Sequence, residues 1–154
     1  MIQRIQTIYL LLITALMVAV LFLPLAVVQA DSNVYHFDAS GMNTLTGGET
    51  ELILPAWALM ALAMIISLVA LVTVFLYRKR MLQIRFCIFN ALLMIGFYGL
   101  FAFFVWKIYG SSDIFHFNPR IALAFPLVSL IINYLAIRNI GADEMLVRSL
   151  NRLR

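Results

Sequence analysis

Four uninterrupted apolar runs leave this chain few folds to choose from. Residues 8–28, 55–77, 86–106 and 121–137 contain no charged side chain. At a rise of about 1.5 Å per residue, runs of this length reach across a hydrocarbon layer of about 30 Å. The fourth is the shortest, and is expected to tilt least or to borrow length from its ends. A soluble domain has no place for them: 64% of the 154 residues are hydrophobic and 12% charged, against roughly 45–50% and about 25% in water-soluble domains. The fold class this implies is an all-α membrane protein, one domain of four transmembrane helices. A cleaved signal peptide is the rival reading for residues 8–28, but that run is longer than the usual signal core of about 7–15 residues.

Charge placement orients the bundle. Arg78, Lys79, Arg80 and Arg85 fall in the short basic turn between the second and third runs, and they are the topology-determining residues. With both termini cytoplasmic, Arg4, Arg138, Arg148, Arg152 and Arg154 join them on the inner side, and only Lys107 and Arg120 lie outside. Nine of eleven basic residues then sit where the positive-inside rule puts them. The location that follows is a bacterial inner membrane. The net charge of +4 is explained by attraction to anionic lipid rather than to nucleic acid.

The connections carry the remaining local signals. Residues 31–54 form the one long polar link, with Gly41 and Gly47-Gly48 as turn punctuation; Val34–Asp38 and 51–54 read as short strands of a small extracytoplasmic cap. Pro55 suits the first position of the second helix, and Asn118-Pro119 suits an N-cap and first position for the fourth. Pro24 is placed to bend the outer end of the first helix. Pro126, within the fourth run, is expected to kink it. Residues 141–154 place Asp143 and Glu144 first and Arg148, Arg152 and Arg154 last, which complements a helix dipole. Ala142, Leu146, Leu150 and Leu153 share one face, so this tail reads as an amphipathic helix on the membrane surface or on a partner.

Chemistry is sparse. The four runs hold no ionisable side chain, which argues against a proton-coupled path, and no cofactor is expected. Their uncharged polar residues are Thr14, Ser67, Thr73, Asn90, Ser129 and Asn133; Asn90 and Asn133 lie at similar depth, and an interhelical hydrogen bond is the simplest reading. His36 and His116 share a local pattern, Val-Tyr-His-Phe-Asp and Ile-Phe-His-Phe-Asn, which hints at a duplicated helix pair. With Asp38 or Asp113 they could border a metal, but two histidines without dense ligand spacing make a poor zinc site, and alternation fits paired strands better. Cys87, alone, reads as a packing residue. Gly96 and Gly99 are three apart, so they make no GxxxG motif but allow close helix approach.

Met-Ile-Gln-Arg-Ile-Gln-Thr-Ile-Tyr-Leu at 1–10 and Asp-Glu-Met-Leu-Val-Arg-Ser-Leu-Asn-Arg-Leu-Arg at 143–154 resemble an uncharacterised family of small four-helix inner-membrane proteins of Bacteroidota. The resemblance implies the same topology and location and supplies no activity. This chain departs from it at Asn139-Ile140-Gly141-Ala142, where the family is more basic. The functional expectation is a non-enzymatic accessory subunit of a larger membrane complex, of protein-export or respiratory type. Its partner-docking residues would be Asp143, Glu144, Leu146, Arg148, Leu150, Arg152, Leu153 and Arg154. A small transporter or channel for a neutral substrate is the alternative, and an enzyme using the histidine loops comes third.

Overall fold

The computed structural model describes residues 2–30, 33–46, 49–109 and 115–152. Four helices dominate it: α1 Ile2–Phe22, α2 Trp57–Phe75, α3 Arg80–Tyr109 and α4 Phe125–Arg152. All four contain stretches long and apolar enough to cross a membrane. Each helix packs on its sequence neighbours, and α1 also packs on α4, which closes the bundle in up-down-up-down order.

One spacing explains the packing. The buried positions run 6, 10, 13, 17, 20 on α1; 59, 63, 66, 70, 73 on α2, with Val69 beside them; 83, 87, 90, 94, 97, 101 on α3; and 122, 126, 129, 133, 136, 140 along the last stretch. Alternate steps of three and four residues place a narrow stripe on one side of each helix, the geometry of knobs-into-holes bundles. The opposite faces are apolar and exposed, as at Leu68, Leu92 and Ile131, which suits lipid. Trp57 and Tyr77, both exposed, lie at opposite ends of α2 and its turn, about 30 Å apart along the axis.

The chain is not all-α. A five-stranded sheet closes one end of the bundle, from β1 Ala26–Ala30, β2 Asn33–Phe37, β3 Gly41–Thr46, β4 Glu49–Pro55 and β5 Phe115–Pro119, in the order β4-β3-β2-β1-β5. All its pairings are antiparallel. The first apolar run is therefore divided. Its helix is 21 residues long but begins at Ile2 and stops at Phe22, because Leu23 precedes a proline and is pushed out of the helical region. The β-branched pair Val27-Val28 continues as strand. The strands at 34–37 and 51–54 do not form a hairpin with one another; β3 lies between them. Pro55 ends β4 on the edge of the sheet, where a missing N–H is harmless, and α2 starts at Trp57. Asn118 and Pro119 likewise belong to β5, not to a helix cap.

Two further expectations change. The basic turn is mostly helical: only a single 3-10 turn at Leu76–Arg78 and Lys79 separate α2 from α3, and Arg80 and Arg85 lie within α3. Arg, Met, Leu and Gln are good helix formers, and nothing in that stretch breaks the helix. The tail is no separate surface helix either. After a 3-10 turn at Ile121–Ala124, α4 continues unbroken for 28 residues, through Gly141. Pro126 falls in its first turn, where proline frees no carbonyl, so it does not kink the helix.

The sheet is bolted to the bundle by aromatic rings. Phe37 from β2 is wholly buried and meets Phe101 of α3 edge-on at 5.4 Å and Phe104 at 6.4 Å; Phe101 also meets Phe117 of β5 at 6.2 Å. Backbone bonds finish the junction, with Leu25 N–H donating to the Phe37 carbonyl and Arg120 N–H to that of Leu25. Gly41, at φ 152°, takes a conformation open to glycine where β3 begins.

Candidate functional site

Polar and charged groups concentrate in two places: the outward face of the sheet and the opposite, turn end of the bundle.

On the sheet, cross-strand register puts Val27 beside both His36 and Asn118, and Gln29 beside His116. Side chains directly opposite share a face, so His36, Asn118, Gln29 and His116 all point away from the helices. Asn43 pairs with His36 from β3, and its amide Nδ2 donates to Asp38 Oδ2 at 3.0 Å. The two histidine strands thus flank β1 rather than pairing with each other, and the His36 and His116 rows are offset by two residues along it. Among the described residues no group of three His, Cys, Asp or Glu side chains could hold a metal ion; Asp113 lies outside the described residues.

At the turn end, Arg80 at the start of α3 reaches α4. Its Nη2 lies 3.1 Å from Asp143 Oδ2, and its Nη1 donates to the Asp143 carbonyl at 3.2 Å. Both side chains are mostly shielded from solvent, so this pair is worth more than a free surface bridge. Lys79, Arg80, Met81, Leu82, Glu144 and Val147 line an open groove of about 460 Å³ beside it. Lys79 and Arg85 are exposed.

Those of the expected docking residues that are described lie at this end, on the continuation of α4. Asp143 is engaged with Arg80, Glu144 borders the groove, and Leu146 is exposed together with Met145 and Val147. Arg148, Leu150 and Arg152 continue α4; Leu153 and Arg154 lie outside the described residues. Arg78 sits in the 3-10 turn.

Beneath the ion pair, buried polar side chains are interleaved with buried apolar ones such as Leu10, Ala70, Ala136 and Ile140. Gln6, Thr73, Gln83, Asn90, Ser129 and Asn133 are each 5% exposed or less. Asn133 Nδ2 donates to the Cys87 carbonyl at 2.8 Å, so the interhelical bond from Asn133 goes to backbone, not to Asn90. Thr73 Oγ1 donates to Val69 O at 2.6 Å. Gln6 and Gln83 join a set that sequence reasoning drew from the apolar runs alone; both lie in helix that extends beyond those runs. Their position one four-residue step before Leu10 and Cys87, in line with each stripe, was the available signal. Thr14 and Ser67, by contrast, only satisfy their own helices, through Leu10 O and Met64 O. Gly96 and Gly99 are on the exposed side of α3 and approach nothing closely, so they serve no contact within the bundle.

No protein of curated description matches this sequence. One family does, over residues 2–153, nearly the whole chain, and its description states no activity. On that match the chain belongs to the family described as Domain of unknown function (DUF4293).

Proposed function

We propose that this protein is a non-enzymatic integral protein of a bacterial cytoplasmic membrane that acts as an accessory subunit, docking a protein partner at its turn end. The observation that carries the reading is the reach of α4. At 28 residues the helix is about 42 Å long and outruns the hydrocarbon layer. Where it passes Asp143 it is tied to Arg80, and the next turn exposes Met145, Leu146 and Val147. A tail serving only as a lipid anchor would lie flat with one apolar side. This one continues along α4 and shows three consecutive apolar side chains beside a groove with both charge signs, a surface suited to another helix.

Orientation supports the same side for docking. Nine of eleven basic residues gather at the turn end and the two termini when these face the cytoplasm, which leaves the sheet outside. The buried polar groups are amides and hydroxyls, which offer neither a base nor a metal-ligand set, and no catalysis is assigned to them. A protein-export or a respiratory assembly is compatible with this reading. The test is affinity purification of the full chain from native membranes in mild detergent. A stoichiometric partner that is lost with Leu146→Asp is the expected outcome; a lone monomer, or a partner indifferent to Leu146→Asp, contradicts it.

Passage of a neutral solute is the second reading, favoured by the polar interior at the turn end. The other half of the interior opposes it: Val20, Leu59, Phe97, Phe101 and Ala122 are buried there and wholly apolar.

A further inference from the structure

The polar interior is unusual in being both buried and unsatisfied. Gln6 Nε2, Gln83 Oε1, both amide atoms of Asn90, Ser129 Oγ and Asn133 Oδ1 have no hydrogen-bond partner and almost no accessible surface, and Asp143 Oδ2, 3.1 Å from Arg80 Nη2, is likewise buried with no aligned hydrogen bond. Each such group costs the protein its lost hydration, and tight apolar packing would serve a purely structural bundle better.

Their placement is one-sided. The Arg80–Asp143 pair, the Asn133–Cys87 bond and the Tyr98 O–H donating to the Leu123 carbonyl fix how α3 and α4 run past each other. Asn133 is therefore level with residues 87–90, and Ser129 lies one turn further in. Among the residues whose burial is described, Gln83 is the first buried position of α3, Gln6 the first of α1 and Thr73 the last of α2. From Phe97 toward the sheet the interior is apolar and closed.

The ion pair spans the seam between the two helices that supply most of these groups. Separating α3 from α4 at the turn end would break it and uncover Gln83, Asn90, Ser129 and Asn133 together. The cost of those bare polar atoms makes the closed state less favoured than its packing alone would give, while the Arg80–Asp143 contact holds it shut.

We propose that the turn end opens between α3 and α4 into a blind hydrated site for an uncharged hydrogen-bonding ligand, held by the Asn90 and Asn133 amides and latched by Arg80–Asp143. The ligand class follows from the lining. Inside the latch, amides and a hydroxyl offer donors and acceptors but no charge, so an ion passing Arg80 and Asp143 would reach them without a counter-charge, whereas an amide, alcohol or water is matched. The proposal is independent of the docking reading, since it concerns the interior and not the α4 surface.

Water-carried reagents test it in the full-length protein reconstituted in vesicles, with Cys87→Ala as background. Single cysteines replace Asn90, Asn133, Leu59 or Phe97, and a small hydrophilic methanethiosulfonate is the probe. Reaction at 90 and 133 at least tenfold faster than at 59 and 97, and faster again with Asp143→Asn, is the expected result. Equal slow rates at all four positions overturn the site; equal fast rates overturn its closed end. Should the variants not fold, hydrogen–deuterium exchange of the Asn90 and Asn133 side-chain amides is read by NMR in the unaltered protein in nanodiscs. Exchange within hours is expected, and protons retained for days overturn the proposal.

Discussion

Replacing Phe37 with alanine distinguishes two kinds of burial in this fold. Phe37 is fully buried between the sheet and α3, yet it belongs to a strand whose alternative surroundings are water. A buried phenylalanine removes about 150–250 Å² from solvent, which at about 25 cal/mol per Å² amounts to roughly 4–6 kcal/mol. Measured Phe→Ala costs of about 3–5 kcal/mol include partial collapse of the cavity, and that is the loss expected here. Phe37→Leu keeps most of the volume and should cost under about 1.5 kcal/mol. Phe97 is equally buried, but inside the bundle, where lipid replaces water as the alternative and helix association draws on packing alone. Phe97→Ala should therefore cost less than Phe37→Ala. Reversible unfolding in bicelles titrated with dodecyl sulfate measures both, and Trp57 and Trp106, near the sheet end of α2 and α3, report by fluorescence. A loss below about 1 kcal/mol for Phe37→Ala, or an equal loss for Phe97→Ala, refutes the reasoning.

Three other outcomes are expected from the same unfolding assay. Gly141 lies inside α4 with nothing within 4 Å of an added Cβ, so Gly141→Ala should stabilise by about 0.5–1 kcal/mol; destabilisation would mean that α4 breaks there. Asn90→Leu removes two unsatisfied polar atoms at nearly constant shape and should raise stability by about 1–2 kcal/mol, with a drop pointing instead to a hydrogen bond made by Asn90. A double-mutant cycle with Arg80→Ala and Asp143→Ala should give a coupling of about 1–3 kcal/mol, above the value of an exposed pair, and zero coupling would remove the latch.

How far the sequence revealed this fold depended on what each signal measures. Hydropathy sees apolarity and not backbone geometry, so it found all four spans but ran the first straight into Ala26–Ala30, apolar residues that form a strand. Pro24 carried the missing information as a helix stop rather than a bend. Charge was misread in the opposite sense. Arg80 and Arg85 looked like a loop because they are basic, yet long basic side chains are compatible with helix at a membrane edge. The heptad stripes were present throughout, and following them past the apolar runs would have added Gln6 and Gln83 to the interior. What sequence could not provide was pairing across distance: β5 inserting beside β1, and Arg80 meeting Asp143 from 63 residues away.

The sidedness of the bundle is the claim on which docking at the turn end depends, and cysteine labelling in spheroplasts measures it directly. In a Cys87→Ala background, Ser40→Cys marks the sheet end and Lys79→Cys the turn; both positions are exposed. A membrane-impermeant maleimide should label position 40 in intact spheroplasts and position 79 only after permeabilisation. Labelling of 79 in intact spheroplasts with 40 protected would put the sheet in the cytoplasm and contradict the proposed orientation.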